Sequence, residues 1–132
     1  MSKSNRLVMD IRRNKREMEL EGEQFAKSIV QMTSGSTVEE VRSAVDPDRN
    51  VITLAVVVGD SLAHRFERAT HHRINVSGRQ YEDVRKDRLS VATRLLGIET
   101  LGLNDPRVNI RLVTADWTGL SGSNVRLGRQ AA

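Results

Sequence analysis

The 132-residue sequence contains no cysteine and very few aromatic residues, and both absences exclude classes of protein. Without cysteine there is no disulfide framework, thiol catalysis, iron–sulfur cluster or cysteine zinc site. Aromatic residues make up only 3% of the chain, so the core must be built from aliphatic side chains and methionine. A hydrophobic content of 38% still provides enough apolar material for one small globular domain.

Long apolar segments are missing as well. No run of residues approaches the roughly 20 that cross a bilayer. The N-terminal sequence MSKSNRLVMDIRRNK has no signal-peptide hydrophobic region. We therefore expect a protein of the cytoplasm or of a virion, not secreted by a signal peptide and without a membrane partner.

The charge is moderately basic and is carried mainly by arginine. Lysine and arginine together number 21 against 17 acidic residues, and 17 of the 21 are arginine. Arginine suits interfaces and nucleic-acid backbones, because its planar guanidinium binds phosphate and carboxylate in a fixed geometry. Ordinary ion pairing on the surface accounts for the same composition. The charge alone therefore does not distinguish a binding surface from ordinary surface ion pairs.

Residues 6–33 predict one long amphipathic helix. Apolar residues recur there at alternating spacings of three and four, with Lys15 and Gly22 as interruptions, which indicates a coiled-coil seam. Gly22 is tolerated in a helix where another backbone approaches closely. Such a helix needs a partner from its own chain or from a neighbour. The predicted oligomer interface consists of Val8, Ile11, Met18, Gly22, Phe25, Ile29 and Met32, together with Val125 and Leu127 near the C-terminus.

The rest of the chain alternates between helix and strand signals. Ser36 and Glu39 form a capping box that predicts a short helix over 37–45. The continuous apolar run 51–58 predicts a strand buried on both faces, and the alternating segment 107–114 predicts a half-exposed strand beside it. Two further helices are predicted over 61–73 and 81–96.

The predicted fold class is a helix-rich α+β domain in the order α-α-β-α-α-β, with a small sheet and an extended C-terminal tail. Residues 1–33 form an oligomerisation helix, residues 36–116 a single small domain, and residues 117–132 the tail. The tail has too little apolar content to fold alone. We expect its two apolar residues to dock on a neighbouring copy, as a strand added beside an edge such as 107–114.

A basic cluster on the predicted helix 61–73 is a candidate for binding phosphate or a nucleic-acid backbone. His64, Arg68 and either His71 or His72 share one face of that helix. The spacing of the histidines suits a metal ion poorly, so no metal site is predicted. A solvated helix face explains the same residues. The full candidate set is His64, Arg65, Arg68, His71, His72, Arg73, Arg126 and Arg129.

The segment VVVGDSL at 56–62, followed by GLND at 102–105, resembles the nucleophile and oxyanion blocks of the GDSL-type serine hydrolases. This resemblance implies Ser61 as a nucleophile and Asn104 as an oxyanion donor. The family also has a DxxH block near the C-terminus that supplies the base. Because no histidine follows His72 in this chain, we expect no catalytic residues and no cofactor.

The sequence therefore favours a non-enzymatic structural subunit that acts through homo-oligomeric interfaces and has no small-molecule substrate. A virion head–tail or tail component and a nucleoprotein complex component are proteins of this kind. The alternative is an accessory protein that binds nucleic acid through its arginine- and histidine-rich helices. A serine hydrolase is a third hypothesis.

Overall fold

A computed structural model describes residues 3–33, 37–74, 81–98, 105–118 and 125–126, with side chains described for 14–33, 37–70, 87–98 and 105–118. Within these residues the elements follow the order α-β-β-α-α-β-β. The helices are α1 (Lys3–Met32), α2 (Asp60–Ile74) and α3 (Tyr81–Leu96). The strands are β1 (Glu40–Asp46), β2 (Val51–Val57), β3 (Val108–Val113) and β4 (Val125–Arg126).

The α+β class and the helix at the start of the chain are confirmed, but the helix predicted over 37–45 is wrong. Residues 40–46 form β1, which pairs antiparallel with β2 from Glu40 opposite Val57 to Asp46 opposite Val51. The apolar residues of this segment fit the spacing of a helix as well as that of a strand. Pairing with the buried strand β2 decides between the two, because strand formation depends on packing against neighbours more than on local propensity.

The sheet has the order β3-β2-β1-β4 and is mixed. β2 and β3 run parallel, with Ile52 opposite Val108 at one end and Val57 opposite Val113 at the other. The connection between these two strands contains α2 and α3. The prediction that these two strands lie beside each other is therefore confirmed.

One face of the sheet carries the main core. The alternation of side chains places Ile52, Leu54 and Val56 of β2 on this face, together with the residues paired with them in β1 and β3. Ala55 and Val57, on the opposite face, are fully buried too, which confirms that β2 is buried on both sides. The core is completed by helical residues, namely Met18, Ala26 and Ile29 of α1, Ala63 and Phe66 of α2, and Val91, Ala92 and Leu96 of α3.

The second half of α1 packs against its own sheet. Met18, Gly22 and Ile29 are buried there, and Phe25 is half-buried against the same core. A Cβ atom at Gly22 would collide with Ser43 Oγ and lie 3.2 Å from Ile52 Cγ2, so the atoms that closely approach this glycine belong to side chains of β1 and β2 and not to another backbone. The seam over residues 18–29 is thus filled within the chain and needs no neighbouring copy to explain it.

The remaining predicted interface residues of α1 are Met32, Val8 and Ile11. Met32 is 37% exposed, at the end of the helix. The side chains of Val8 and Ile11 lie outside the described part of the chain.

An ion-pair cluster fixes α1 against the beginning of β3. Arg107 Nη2 lies 2.5 Å from Glu21 Oε2 and 2.6 Å from Asp105 Oδ2. The hydrogen bond from the Arg107 side chain is the largest cause that lowers the pKa of Asp105, and the same bond raises the pKa of Arg107. Both groups therefore keep their charges over the whole ordinary pH range.

The C-terminal tail contributes a strand, but not in the predicted place. Val125 lies opposite Ser43 and Arg126 opposite Arg42, so β4 pairs with β1 of its own chain. The predicted docking of this tail beside residues 107–114 of a neighbour is corrected by this pairing. Leu127 lies outside the described residues.

Candidate binding groove

A groove of about 520 Å³ lies between α2 and the outer edge of β3, and we call it the α2–β3 groove. It is located where the parallel strands β2 and β3 both end, which is where ligands bind in sheets of parallel strands. Its volume is in the range of sites that bury a small ligand or a few side chains. Apolar side chains come from Ala63, Leu112, Val113 and Trp117, and polar ones from Asp60, His64, Glu67, Arg111 and Thr114.

Trp117 is held beside the groove by Arg42, which lies on β1. Arg42 Nη1 donates to the carbonyl oxygen of Trp117 at 2.8 Å, and Nη2 donates to that of Ala115 at 2.9 Å. The same guanidinium donates to Glu40 Oε1 through both Nε and Nη2. Because the Arg42 side chain is only 9% exposed, it is a buried anchor for the loop after β3.

Arg111 joins the two sides of the groove. Its Nη2 lies 2.8 Å from Glu67 Oε1 on α2, and its guanidinium carbon lies 5.3 Å from the centre of the Trp117 ring. A guanidinium over an indole face at this distance is a cation–π contact. Arg111 therefore contacts both Glu67 on α2 and the Trp117 ring.

A second arginine covers the same strand edge. Arg88 Nη1 of α3 donates to Asn109 Oδ1 at 3.1 Å. Burial is the largest cause that lowers the pKa of Arg88, and the charge of Arg111 lowers it further. Asn109 and Arg111 lie on the face of β3 opposite the helices, so both contacts pass around the outer edge of this strand. They cover an edge that would otherwise be open to another strand.

The ionisable groups along the groove favour negative charge. Glu67 is balanced by Arg111, whereas Asp60 forms no ion pair with any described residue. Asp116 adjoins the groove and accepts a hydrogen bond from Thr114 Oγ1, which is the largest cause that lowers its pKa. The groove therefore combines apolar walls with uncompensated carboxylates.

The structure divides the predicted basic cluster of α2. His64 lines the groove, whereas Arg65 and Arg68 are exposed on the helix and do not line it. The side chains of His71, His72, Arg73 and Arg126 lie outside the described part, and so does the whole of Arg129.

Of Ser61 and Asn104, the two residues implied by the resemblance to a hydrolase, the structure describes only Ser61. Ser61 is exposed in the first turn of α2 and does not line the groove, although its neighbour Asp60 does. The helix begins one residue earlier than predicted, and the carbonyl of Gly59 accepts its first hydrogen bond from the Ala63 amide. Asn104 lies outside the described residues.

Two kinds of feature are absent from the described ranges. They contain no group of three or more His, Asp or Glu side chains that could hold a metal ion. None of their helices combines the length and the apolar content that a membrane span requires.

Sequence reasoning missed the residues that build the groove wall. Arg42 was assigned to a helix, so the sequence did not predict that it lies on a strand beside β2. Arg111 had a usable signal, because it alternates with Ile110 and Leu112 and so had to face away from the core. Nothing in the sequence connects Arg111 with Glu67, since 44 residues separate them.

Comparison of the chain with known protein families, curated proteins and solved structures finds no match.

Proposed function

We propose that this chain is a non-enzymatic structural subunit that assembles with further copies of itself. A virion head–tail or tail component and a component of a nucleoprotein complex are proteins of this type. The single observation that supports the proposal is the length of α1, which continues as a helix for 15 residues before Met18, the first buried side chain among those described.

The dimensions of the elements show how far α1 extends. A helix of 30 residues is about 45 Å long. A strand of seven residues, such as β1 or β2, is about 23 Å long. The sheet can therefore cover about half of the helix.

The exposure of α1 changes where the sheet ends. Among the side chains of α1 that the structure describes, the buried positions begin at Met18, whereas residues 14–17 are all exposed. Four consecutive residues go round a full helical turn, so no side of this turn is buried. The helix nevertheless continues from there back to Lys3. Isolated helices of this length are marginal in water, so a partner for residues 3–13 would stabilise them.

The sequence of this segment fits a helix that docks on protein. Leu7, Val8 and Ile11 have the i, i+1, i+4 spacing of an apolar helix face. Val8 and Ile11 continue the same seam that Met18 and Gly22 form further along α1.

The test is the size of the protein in solution. Sedimentation of the full chain over a range of concentrations should show a multimer, and Val8→Asp/Ile11→Asp should convert it to a monomer. The thermal melt of this variant should keep a cooperative transition, because Met18, Ala26 and Ile29, the core residues described in α1, are unchanged.

Asn14→Asp is the matched control, since Asn14 is exposed on the same helix. It should leave the multimer unchanged. A full chain that sediments as a monomer at every concentration would refute the proposal, and so would an unchanged size of the double variant.

Binding of nucleic acid is a second candidate function, and exposed arginines on α2 favour it. Arg65 and Arg68 are both exposed, and no described carboxylate forms an ion pair with either. Phosphate contacts through such side chains make affinity fall with salt. If both contact phosphates, Arg65→Ala/Arg68→Ala should reduce the slope of log affinity against log salt by about 2 in a duplex-binding titration. An identical slope in the variant would exclude these residues from binding.

A further inference from the structure

We propose that the copies assemble head to tail, with residues 3–13 of α1 from one copy bound in the α2–β3 groove of the next. This inference rests on the proposed function and deepens it by naming both surfaces. Three features of the chain carry it, namely the positions of helix and groove, their charges, and the shape of the groove.

The first half of α1 and the groove lie at opposite ends of the domain. Gly22 packs against Ser43, in the middle of β1, and Ile52, near the beginning of β2, and Glu21 contacts Arg107 just before β3. The preceding residues therefore leave the sheet at the end where β2 and β3 begin. The groove lies where these two strands finish. A copy cannot fill its own groove, but it can fill that of a neighbour.

The charges of the two surfaces are complementary. Residues 1–16 carry six basic residues and one acidic residue, whereas residues 17–32 carry one basic residue and four acidic ones. The basic half is the half that extends beyond the sheet. In the groove, the ionisable Asp60, Glu67 and Arg111 leave an excess of one carboxylate, to which the neighbouring Asp116 adds another.

The shape of the groove suits a helix better than a strand. An added strand needs the free backbone groups of β3, but the pairs Arg88–Asn109 and Arg111–Glu67 cover that edge. A helix needs only an apolar floor, into which it inserts side chains at spacings of three and four. Trp117 is the half-buried apolar side chain of the groove, and the buried side chains of Ala63, Leu112 and Val113 line it from the core. Leu7, Val8 and Ile11 have the required spacing.

Contacts between unlike surfaces have a definite consequence for assembly. Each copy presents one helix and one groove, so the interface is heterologous and repeats from copy to copy. Such an interface closes into a ring or continues as a filament, according to the rotation between neighbours.

Complementation of two defective variants tests this arrangement with the full-length chain. The helix variant is Val8→Asp/Ile11→Asp, and the groove variant is Asp60→Lys/His64→Lys, whose two positions are both exposed. Each variant alone should be a monomer, with self-association weakened at least about ten-fold, because charges of the same sign meet or an aspartate enters an apolar site. Mixed in equal amounts, the two should form a dimer and nothing larger, since one intact helix meets one intact groove.

Ser61→Lys is the control for added positive charge on α2, because Ser61 is exposed beside the groove without lining it. It should assemble like the unaltered chain. Circular dichroism and thermal melts of each variant show whether it is folded. If the double groove variant does not fold, His64→Lys alone replaces it as the groove variant.

The outcomes separate this inference from the proposed function. If the helix variant is a monomer while the groove variant still forms multimers alone, assembly uses α1 but not this groove, and the inference fails. Absence of a mixed dimer from two folded monomeric variants overturns it as well. A monomeric unaltered chain refutes both proposals.

Discussion

The two faces of the sheet are stabilised in different ways. One face is covered by α1, α2 and α3 and consists almost entirely of aliphatic side chains around Phe66. No described helix covers the other face, where Ala55, Val57 and Val113 are buried with Trp117 packed against them. Arg42 and Arg111 hold that indole and its loop in place.

This difference shows how a chain with very few aromatic residues covers both sides of one sheet. On the helical face, burial of apolar area supplies the stability and depends little on direction. On the opposite face, a short loop replaces a whole layer of helices, and directional hydrogen bonds must fix its position. Stability should therefore be most sensitive to lost side-chain volume on the helical face, and to lost hydrogen-bond donors on the opposite face.

The largest effect is expected on the helical face, from Phe66→Ala. Phe66 is 1% exposed and is the largest fully buried side chain of the core. Its truncation should lower the free energy of unfolding by about 3–5 kcal/mol, through lost transfer energy and the cavity left behind. Denaturation in urea measures this loss.

Phe66→Leu is the control for that substitution, because it keeps most of the volume and should cost clearly less. If alanine and leucine cost the same, the site is not packed as described here.

A smaller loss, of about 2–3 kcal/mol, is expected on the opposite face from Arg42→Met. Methionine keeps much of the apolar stem but removes the donors to the carbonyl oxygens of Ala115 and Trp117. The released loop should also shift the fluorescence of the only tryptophan to longer wavelength.

Arg49→Met is the matched control for Arg42. The Arg49 side chain is 81% exposed and lies 3.8 Å from Asp46, so its replacement should cost less than about 0.5 kcal/mol. An equally small cost at Arg42 would show that the loop does not depend on the arginine.

The smallest effect is expected where α1 meets the sheet, from Gly22→Ala. The added methyl group collides with Ser43 Oγ, which should lower the free energy of unfolding by about 1–3 kcal/mol. The higher helix propensity of alanine offsets roughly 1 kcal/mol of this loss. Ser43→Ala should be neutral or slightly stabilising alone, because this buried hydroxyl has no hydrogen-bond partner in the described structure.

The double variant Gly22→Ala/Ser43→Ala should recover most of the lost stability, as chemical denaturation of all four proteins would show. Strictly additive effects of the two substitutions would contradict the described contact.

The elements that the sequence predicts well are those with strong periodicity. α3 was predicted over 81–96 and spans Tyr81–Leu96, and the apolar run 51–58 is matched by β2. β1 was mistaken for a helix because Ser36 and Glu39 have the spacing of a capping box, and because Val41 and Val45 fit the period of a helix as well as that of a strand. Only the partner strand, which is brought to it by the turn at residues 47–50, separates the two possibilities.

The groove was harder to predict than the elements that form it. His64 was singled out for its charge, and the structure places it in the groove. Trp117 was placed at the start of an extended tail that cannot fold alone, because its anchor Arg42 lies 75 residues away in the sequence. Contacts over such separations depend on the order of the strands, which periodicity does not specify.

The parallel pairing of β2 and β3 also determines when the groove comes into existence during synthesis. β1 and β2 are joined by a turn of four residues, in which Asn50 takes a left-handed conformation, so this hairpin closes locally. β3 must return across about 50 residues, at an additional entropic cost of about 2 kcal/mol by loop length alone, and we expect it to join last. A growing chain therefore carries its basic helix end from the start but has no groove until Trp117 has been made. Under head-to-tail assembly, an unfinished chain can attach to a completed copy but cannot accept the next one.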